Sequence, residues 1–284
     1  FVDVATLAHV LYSRKFSLES LCKHVGLHQG KSDSQGHGRH LDADYIKYAI
    51  QDVKATFDCF KILKTKYASY NLTDTQIENL YTEASIGKGC LKQMMIYPWL
   101  QCQPDFDPEM LGYIMSTFYG GRSEIHMRRM IVDGLYCDML SMYPTVCTLM
   151  GLWQFVISQG VNTHEDTEGV RNFLNSLLPL ENGLSLLSLK ETWKQFHCIV
   201  QILPSDDILP VRTAYVKGGD ENIGINHLSS EVPLWYTLPD VIDSVLLTGK
   251  IPQVVRAVRF TPKGKQSHLL PIDLLGKEEY HINP

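Results

Sequence analysis

The run DADYIKYAIQDVKATFDCFKILKTK at residues 42–66 constrains the fold more than any other segment. Its apolar residues recur at 45, 46, 49, 50, 53, 57, 60 and 63, which is the spacing of one long helix. Asp42 or Asp44 is placed to cap its start, and lysines close it, as the helix dipole favours.

Other segments are read around that helix. DVATLAHVLY at 3–12 has helical spacing, and a second helix starts in FSLESL at 16–21, with Ser17 as cap and Ser20 and Leu21 in the first turn. GKSDSQGHGRH at 30–40 reads as an exposed loop, and His28, His37 and His40 form no compact ligand pattern. Residues 74–97 read as helical with a glycine interruption at 87–89. The proline-rich QCQPDFDPE at 101–109 reads as a linker or turn and marks a domain boundary, followed by a short helix around 109–117. Few signals are sharp in 161–210. VRTAYVKGGDENIGINHL at 211–228 predicts two strands around a turn. A helix from Leu238 to Leu247 stops at Thr248-Gly249, and IPQVVRAVRF at 251–260 reads as a strand. No repeat is visible, and the expected class is α/β or α+β.

Composition sets the outer limits. A chain of 284 residues, 44% hydrophobic and 20% charged, makes one large globular domain or two ordinary ones. A net charge of -5 argues against a wholly basic nucleic-acid-binding module but leaves room for a local basic groove. Seven cysteines, at 22, 59, 90, 102, 137, 147 and 198, include no CxxC pair, and their number is odd. Free thiols in a reducing compartment are expected, rather than a zinc ribbon or a disulfide framework. No apolar run approaches the roughly 18 residues of a membrane span, and no signal peptide is visible. The chain opens on FVDVATL, without methionine and inside an amphipathic pattern, and closes on EEYHINP. It reads as an internal piece of a longer protein.

Four clusters of residues have chemical potential. Tyr48 and Asp52 lie one helical turn apart and so share a face. Together they suit a metal-holding carboxylate and a water-orienting hydroxyl, or simply a half-buried ring and a solvent-facing charge. FYGGRSE at 118–124 sets Gly120 and Gly121 beside Arg122, which fits close approach to a nucleic-acid backbone or an ordinary tight turn. DGLYCDMLSMYPT at 133–145 places Asp138 in an apolar run that Pro144 ends. The predicted arrangement is a strand that stops at Asp138 and turns into a helix, where the aspartate either holds a metal or caps the turn. Lys250, Arg256, Arg259, Lys263 and Lys265 form a basic stripe without an acid among them, facing either phosphates or solvent.

These motifs occur in a known order. DMLSMYPT at 138–145 resembles motif A of family B DNA polymerases, D-x-x-S-L-Y-P-S, with Met142 for the leucine and Thr145 for the second serine. FYGG resembles the family's Y-x-G-G motif, with Phe118 for the tyrosine. Tyr48 to Asp52 is similar to the Y-x-x-x-D of the third exonuclease segment. The likeness extends over nearly the whole chain, most weakly at 155–200. Segments 80–97, 118–145 and 211–260 look most like the protein-primed, viral or plasmid branch.

The resemblance implies the C-terminal part of a ribonuclease-H-like 3'-5' exonuclease domain at 1–100, a linker at 101–117, and the first part of a polymerase palm with an inserted region at 118–284. Asp138 then corresponds to a metal-binding aspartate, Leu140 and Ser141 to the turn under an incoming nucleotide, and Tyr143 to the gate against a ribose 2'-hydroxyl. Tyr48 and Asp52 correspond to proofreading residues, with Asp52 a metal ligand. Gly120, Gly121 and Arg122 correspond to the template-contacting link, and Arg128 and Arg129 add weak DNA affinity. The implied function is template-directed nucleotidyl transfer with two Mg²⁺ ions, acting on DNA template, primer and deoxynucleoside triphosphates, with a terminal protein as a further partner and no membrane. The implied location is the cytoplasm or a viral or plasmid replication site. No exonuclease-type D-x-E precedes Tyr48, and the K-x3-N-S-x-Y-G and D-T-D motifs are absent from the chain, so the isolated chain is expected to be inactive. The alternatives are a catalytically inactive nucleic-acid-binding remnant and a soluble α/β interaction protein.

Overall fold

The computed structural model describes residues 2–27, 42–121, 127, 129–214, 217–219 and 221–284. It is an α+β architecture of several helices and small antiparallel sheets. The chain divides into two compact units, Phe1–Tyr97 with Ser267–Pro284, and Pro98–Gln266. The loop expected at 30–40, with His28, His37 and His40, lies outside the described residues.

The first unit is built on α1 (Val4–Tyr12), α2 (Leu18–His24), α3 (Ala43–Ala68) and α4 (Glu83–Gln93), with a 3-10 turn at Ile77–Asn79. Local caps set the helix starts. Asp3 accepts from the Thr6 amide, Ser17 and Ser20 form a reciprocal capping box, and Asp42, rather than Asp44, accepts from the Tyr45 amide at 2.7 Å. Leu7, Ala8 and Leu11 of α1 meet Leu21 and Cys22 of α2 and Ala55, Cys59 and Leu63 of α3 in one core. Cys22 and Cys59 are buried there as free thiols, with their sulfurs 3.6 Å apart. The predicted glycine interruption at 87–89 does not occur. Both glycines lie inside α4, and a Cβ on Gly89 would sit 2.6 Å from the Thr75 hydroxyl. Glycine here serves close packing rather than a break.

The second unit starts with α5 (Trp99–Cys102), α6 (Pro108–Ser116), α7 (Met142–Leu149) and α8 (Trp153–Val156). It continues through β1 (Gly160–Glu165), α9 (Thr167–Ser176), α10 (Leu180–Leu187), α11 (Lys190–Trp193), β2 (Cys198–Leu203), β3 (Ser205–Ala214) and β4 (Glu221–Ser229). β5 (Leu234–Thr237), α12 (Leu238–Thr248) and β6 (Gln253–Lys263) complete it. A four-stranded sheet has the order β1-β6-β2-β5, antiparallel throughout, with Gly160 opposite Lys263 and Val200 opposite Ala257. Val170 and Leu174 of α9 and Val241 and Val245 of α12 pack with Val200, Ile202 and Ala257. Phe106 and Met110 pack with Ile199, Trp235 and Val258 in a second cluster. β-strand side chains alternate between faces, so the two clusters lie on opposite sides of the sheet.

Several expectations change here. The short helix expected around 109–117 is α6, which Asp107 caps and Pro108 starts, while the 101–109 stretch read as a linker or turn is packed in part, with Phe106 buried. Proline at a helix start lacks only a donor that would be unpaired anyway. The 161–210 stretch holds β1, α9, α10, α11 and β2. The predicted strands at 211–228 extend beyond that range, pairing from Ser205 with Ser229 to Ala214 with Glu221. α12 ends where glycine was expected to stop it, with Gly249 in the left-handed region at φ 67°.

Short strands β7 (Ile272–Asp273) and β8 (His281–Ile282) return the chain to the first unit, where Ile272 is buried beside Cys90 and Met94. Among the described residues, no helix is long and apolar enough to cross a membrane.

Candidate functional site

Asp138 belongs to a segment that the sequence reads as a strand running into a helix. The helix is present, but the strand is not. Residues 131–139 have no regular structure, and 129–145 are exposed throughout, with Ile131 at 104% and Leu140 at 94%. A strand is stable only when its backbone groups meet a neighbour, and none of the described strands pairs with this run. The turn that follows matches the expectation. The Met142 amide donates to the Met139 carbonyl, Ser141 adopts φ 55°, ψ 33°, and the Thr145 amide donates to the Ser141 carbonyl to start α7. Pro144 falls in the first turn, where it breaks no helical hydrogen bond. Asp138, Leu140, Ser141 and Tyr143 all face solvent around this start.

Tyr48 and Asp52 lie on α3 and point toward the same side as Ala55, Cys59 and Leu63, since 48, 52, 55, 59 and 63 follow a single helical stripe. They therefore extend the buried face of the helix toward its N-terminus. Asp52 lines a cleft of about 650 Å³ together with Val2, Val4, Leu18, Phe57 and Phe60. Its Oδ1 is buried without a hydrogen-bond partner. Tyr48 is half-buried, with its ring 6.0 Å from that of Tyr45. A separate stripe, Ile46, Ile50, Val53 and Phe57, stays exposed, with Val53 at 70% and Phe57 at 59%. The spacing of the apolar residues thus predicts the helix but not which of its two apolar faces is covered.

The 118–121 segment is anchored by residues the sequence did not point to. Tyr119 stacks on Tyr236, with centroids 5.8 Å apart and planes 3° apart. The Arg212 guanidinium lies 5.0 Å from the Tyr119 centroid and donates to the Phe118 carbonyl. Gly120 sits at φ 72°, which favours glycine, while a Cβ on Gly121 would meet no atom within 4 Å. No close contact among the described residues therefore demands glycine at 121. Arg122 and Arg128 lie outside the described residues, and Arg129 adopts φ 59° on an exposed stretch.

Three of the five cations of the basic stripe, Lys250, Arg256 and Arg259, meet acids within the chain. Arg259 Nε meets Asp166 Oδ2 at 2.6 Å, and its Nη1 donates to the Gln195 carbonyl. Arg256 lies 3.4 Å from Glu165. Lys250 lies 3.2 Å from the fully buried Asp207 Oδ1, outside hydrogen-bond geometry, while Asp207 Oδ2 accepts from the Ser205 amide. Lys250, Arg256 and Arg259 are thus paired within the chain, while Arg256 and Lys250 remain partly exposed. The acids that meet them come from other strands and loops, which a local reading of 250–265 does not contain.

The structure divides the remaining site residues between its two units. Tyr48 and Asp52 belong to the first, and Gly120, Gly121, Asp138, Leu140, Ser141 and Tyr143 to the second. Among the described residues, no group of three or more histidine, cysteine, aspartate or glutamate side chains is arranged to hold a metal ion. Comparison with protein-family models, with curated proteins and with solved structures gives no match to this chain.

Proposed function

We propose that this chain is part of a family B DNA polymerase of the protein-primed, viral or plasmid type. On this reading, residues 1–100 are the last part of a ribonuclease-H-like 3'-5' exonuclease region, and the chain from 118 onward begins the palm with its inserted region. Asp138 serves template-directed nucleotidyl transfer, Ser141 and Leu140 lie under the incoming triphosphate, and Tyr143 gates the sugar. Tyr48 and Asp52 serve proofreading.

The observation that carries the reading is the uncovered apolar surface next to each motif. The run before Asp138 is apolar and suited to a strand, yet it is exposed from 129 to 145. The second apolar stripe of α3, beside Tyr48 and Asp52, is exposed as well. Large contiguous apolar surfaces mark places where another segment packs. Sheet strands supplied by the rest of a longer polymerase would cover both and bring the missing carboxylates to Asp138 and Asp52. Among the described residues no group of three or more potential ligands is gathered for a metal. When bound, the pair of Mg²⁺ ions stabilises the attacking and leaving oxygens. The paired state of Arg256 and Arg259 argues against the alternative of a simple nucleic-acid-binding remnant that uses the 250–265 stripe.

The coding sequence on both sides of this chain tests the reading. D-x-E upstream, with K-x3-N-S-x-Y-G and D-T-D downstream, are expected in the same frame. Continuous flanking sequence that lacks all three ends the proposal.

A further inference from the structure

Two of the seven thiols meet in the core of the first unit. Cys22 stands on α2 and Cys59 on α3, both fully buried, with their sulfurs 3.6 Å apart. The two atoms are in van der Waals contact. A disulfide holds its sulfurs about 2.0 Å apart, so each has to travel less than about 1 Å along the line between them. The other cysteines stand elsewhere. Cys90 packs with Met94 and Ile272, Cys198 lies in the core of the second unit, and Cys137 and Cys147 are exposed.

The position of the pair gives such a bond something to hold. In sequence α2 and α3 are joined through the glycine- and serine-rich 30–40 stretch, and the two cysteines are 37 positions apart. Within the unit the helices meet through apolar side chains, Leu21 and Cys22 with Ala55, Cys59 and Leu63. Leu18 of α2 and Asp52, Val53 and Phe57 of α3 line the same cleft. A covalent link between the helices ties together two of the elements that wall it.

Burial also sets the order of events. The thiolate is the nucleophile, and burial, with Cys22 and Asp58 adding to it, pushes the Cys59 thiol up to about 12. In the closed core Cys59 therefore stays protonated at pH 7, and the first oxidation needs a transient opening of the helices. Peroxide then takes one thiolate to the sulfenic acid. On reclosure that sulfur lies against the second thiol, which completes the bond before more peroxide reaches it.

We propose that Cys22 and Cys59 are a redox-modification site, joined by a reversible disulfide between α2 and α3 on exposure to a peroxide. One thiolate attacks hydrogen peroxide, forming Cys–SOH and releasing water. The second thiolate attacks that sulfur and expels hydroxide, which leaves as a second water. The two thiols lose two electrons, peroxide gains them, and the two thiol protons end in the two waters. A dithiol reductant returns the electrons and reopens the bond.

The chain carrying Cys137→Ser and Cys147→Ser, which lacks the exposed thiols, is treated with hydrogen peroxide, once folded and once in urea. Remaining thiols are alkylated under denaturing conditions and the peptides mapped by mass spectrometry. In the folded chain the main product should be a peptide pair linked through Cys22 and Cys59, lighter by two hydrogen atoms and separated again by dithiothreitol. In urea that pair should be no commoner than links among Cys90, Cys102 and Cys198. The linked chain should melt about 5–15 °C above the reduced one, the order expected from closing a loop of this length. The rise should vanish when Cys22→Ala is added. Absence of the link in the folded chain, sulfinic acid at either position as the main product, or unchanged melting despite the link each overturns the proposal. If Cys22→Ala fails to fold, the peptide map and the melting shift of the chain that keeps both cysteines decide alone. The polymerase reading makes no use of either thiol, so the two stand or fall separately.

Discussion

His197 shows how one side chain ties the sheet to the pH of the solution. Its pKa lies below the ordinary value of 6.5, first because burial penalises the cation, with Arg259 adding repulsion and the Met150 carbonyl opposing both. The unfolded chain therefore takes up this proton before the folded one does. As pH falls below about 6.5, protonation favours the unfolded state, and the loss of stability continues until the folded pKa is reached. Above pH 6.5 the group contributes no pH dependence. Urea midpoints of the chain and of His197→Phe between pH 7.5 and 5 should diverge, with the variant declining less on acidification. Parallel curves would remove His197 from the acid response. Arg259 illustrates a different limit at this scale. Its charge is plain in the sequence, but its partner Asp166 lies 93 positions earlier. No local window joins them, so a paired arginine read as a free one.

At the scale of elements, the helices were legible wherever cap and periodicity are both local. Asp42, Ser17 and Thr237 each accept from an amide three residues on, and the helices start where these residues stand. The strand expected before Asp138 was not legible in the same way, because apolar character states only what a strand buries, not who pairs with it. α3 carries the same ambiguity on its two faces. Ala55, Cys59 and Leu63 are buried, whereas Ile46, Ile50, Val53 and Phe57 are not. Val53→Asp and Phe57→Glu should therefore change the melting temperature of this chain little, since exposed positions usually shift stability by no more than about 0.5 kcal/mol. In a longer polymerase whose sheet covers that stripe, the same changes should destabilise by about 2–4 kcal/mol, because each buries an unpaired charge. Thermal melts of both proteins would separate the cases, and equal small effects in both would mean that the stripe faces water in the longer protein too.

At the scale of the whole chain, the candidate groups are incomplete, and activity follows from that. Phosphoryl-transfer metals need carboxylates from more than one segment held within a fraction of an ångström. Asp138 and Asp52 stand in different units, and neither belongs to a group of three or more potential metal ligands among the described residues. The purified chain with Mg²⁺ should neither extend nor degrade a primer. In a polymerase carrying the flanking motifs, Asp138→Ala should reduce extension by at least a thousandfold while sparing degradation, and Asp52→Ala should do the reverse. Primer-extension and exonuclease gels read both, and synthesis that survives Asp138→Ala would show that the aspartate has another role. The order of the motifs was visible in sequence, because each is a local string. Their surroundings were not, because exposure and pairing depend on segments far away in the chain.

The first unit takes residues from both ends of the chain, and this matters for how it is made. Its tail, Ser267–Pro284, places Ile272 beside Cys90 and Met94 and lets the Leu270 amide donate to the Met94 carbonyl. A ribosome delivers the helices first and the tail last. At about 5–20 residues per second, the gap between residues 97 and 284 corresponds to roughly ten to forty seconds of synthesis. Throughout that interval the nascent helices present an open apolar seat at Cys90 and Met94. The Pro98–Gln266 unit, contiguous in sequence, can close as soon as it has left the exit tunnel. Between these two units the order of maturation is then the reverse of the order of synthesis, and the longer exposure to chaperones and proteases belongs to the helices of the first unit.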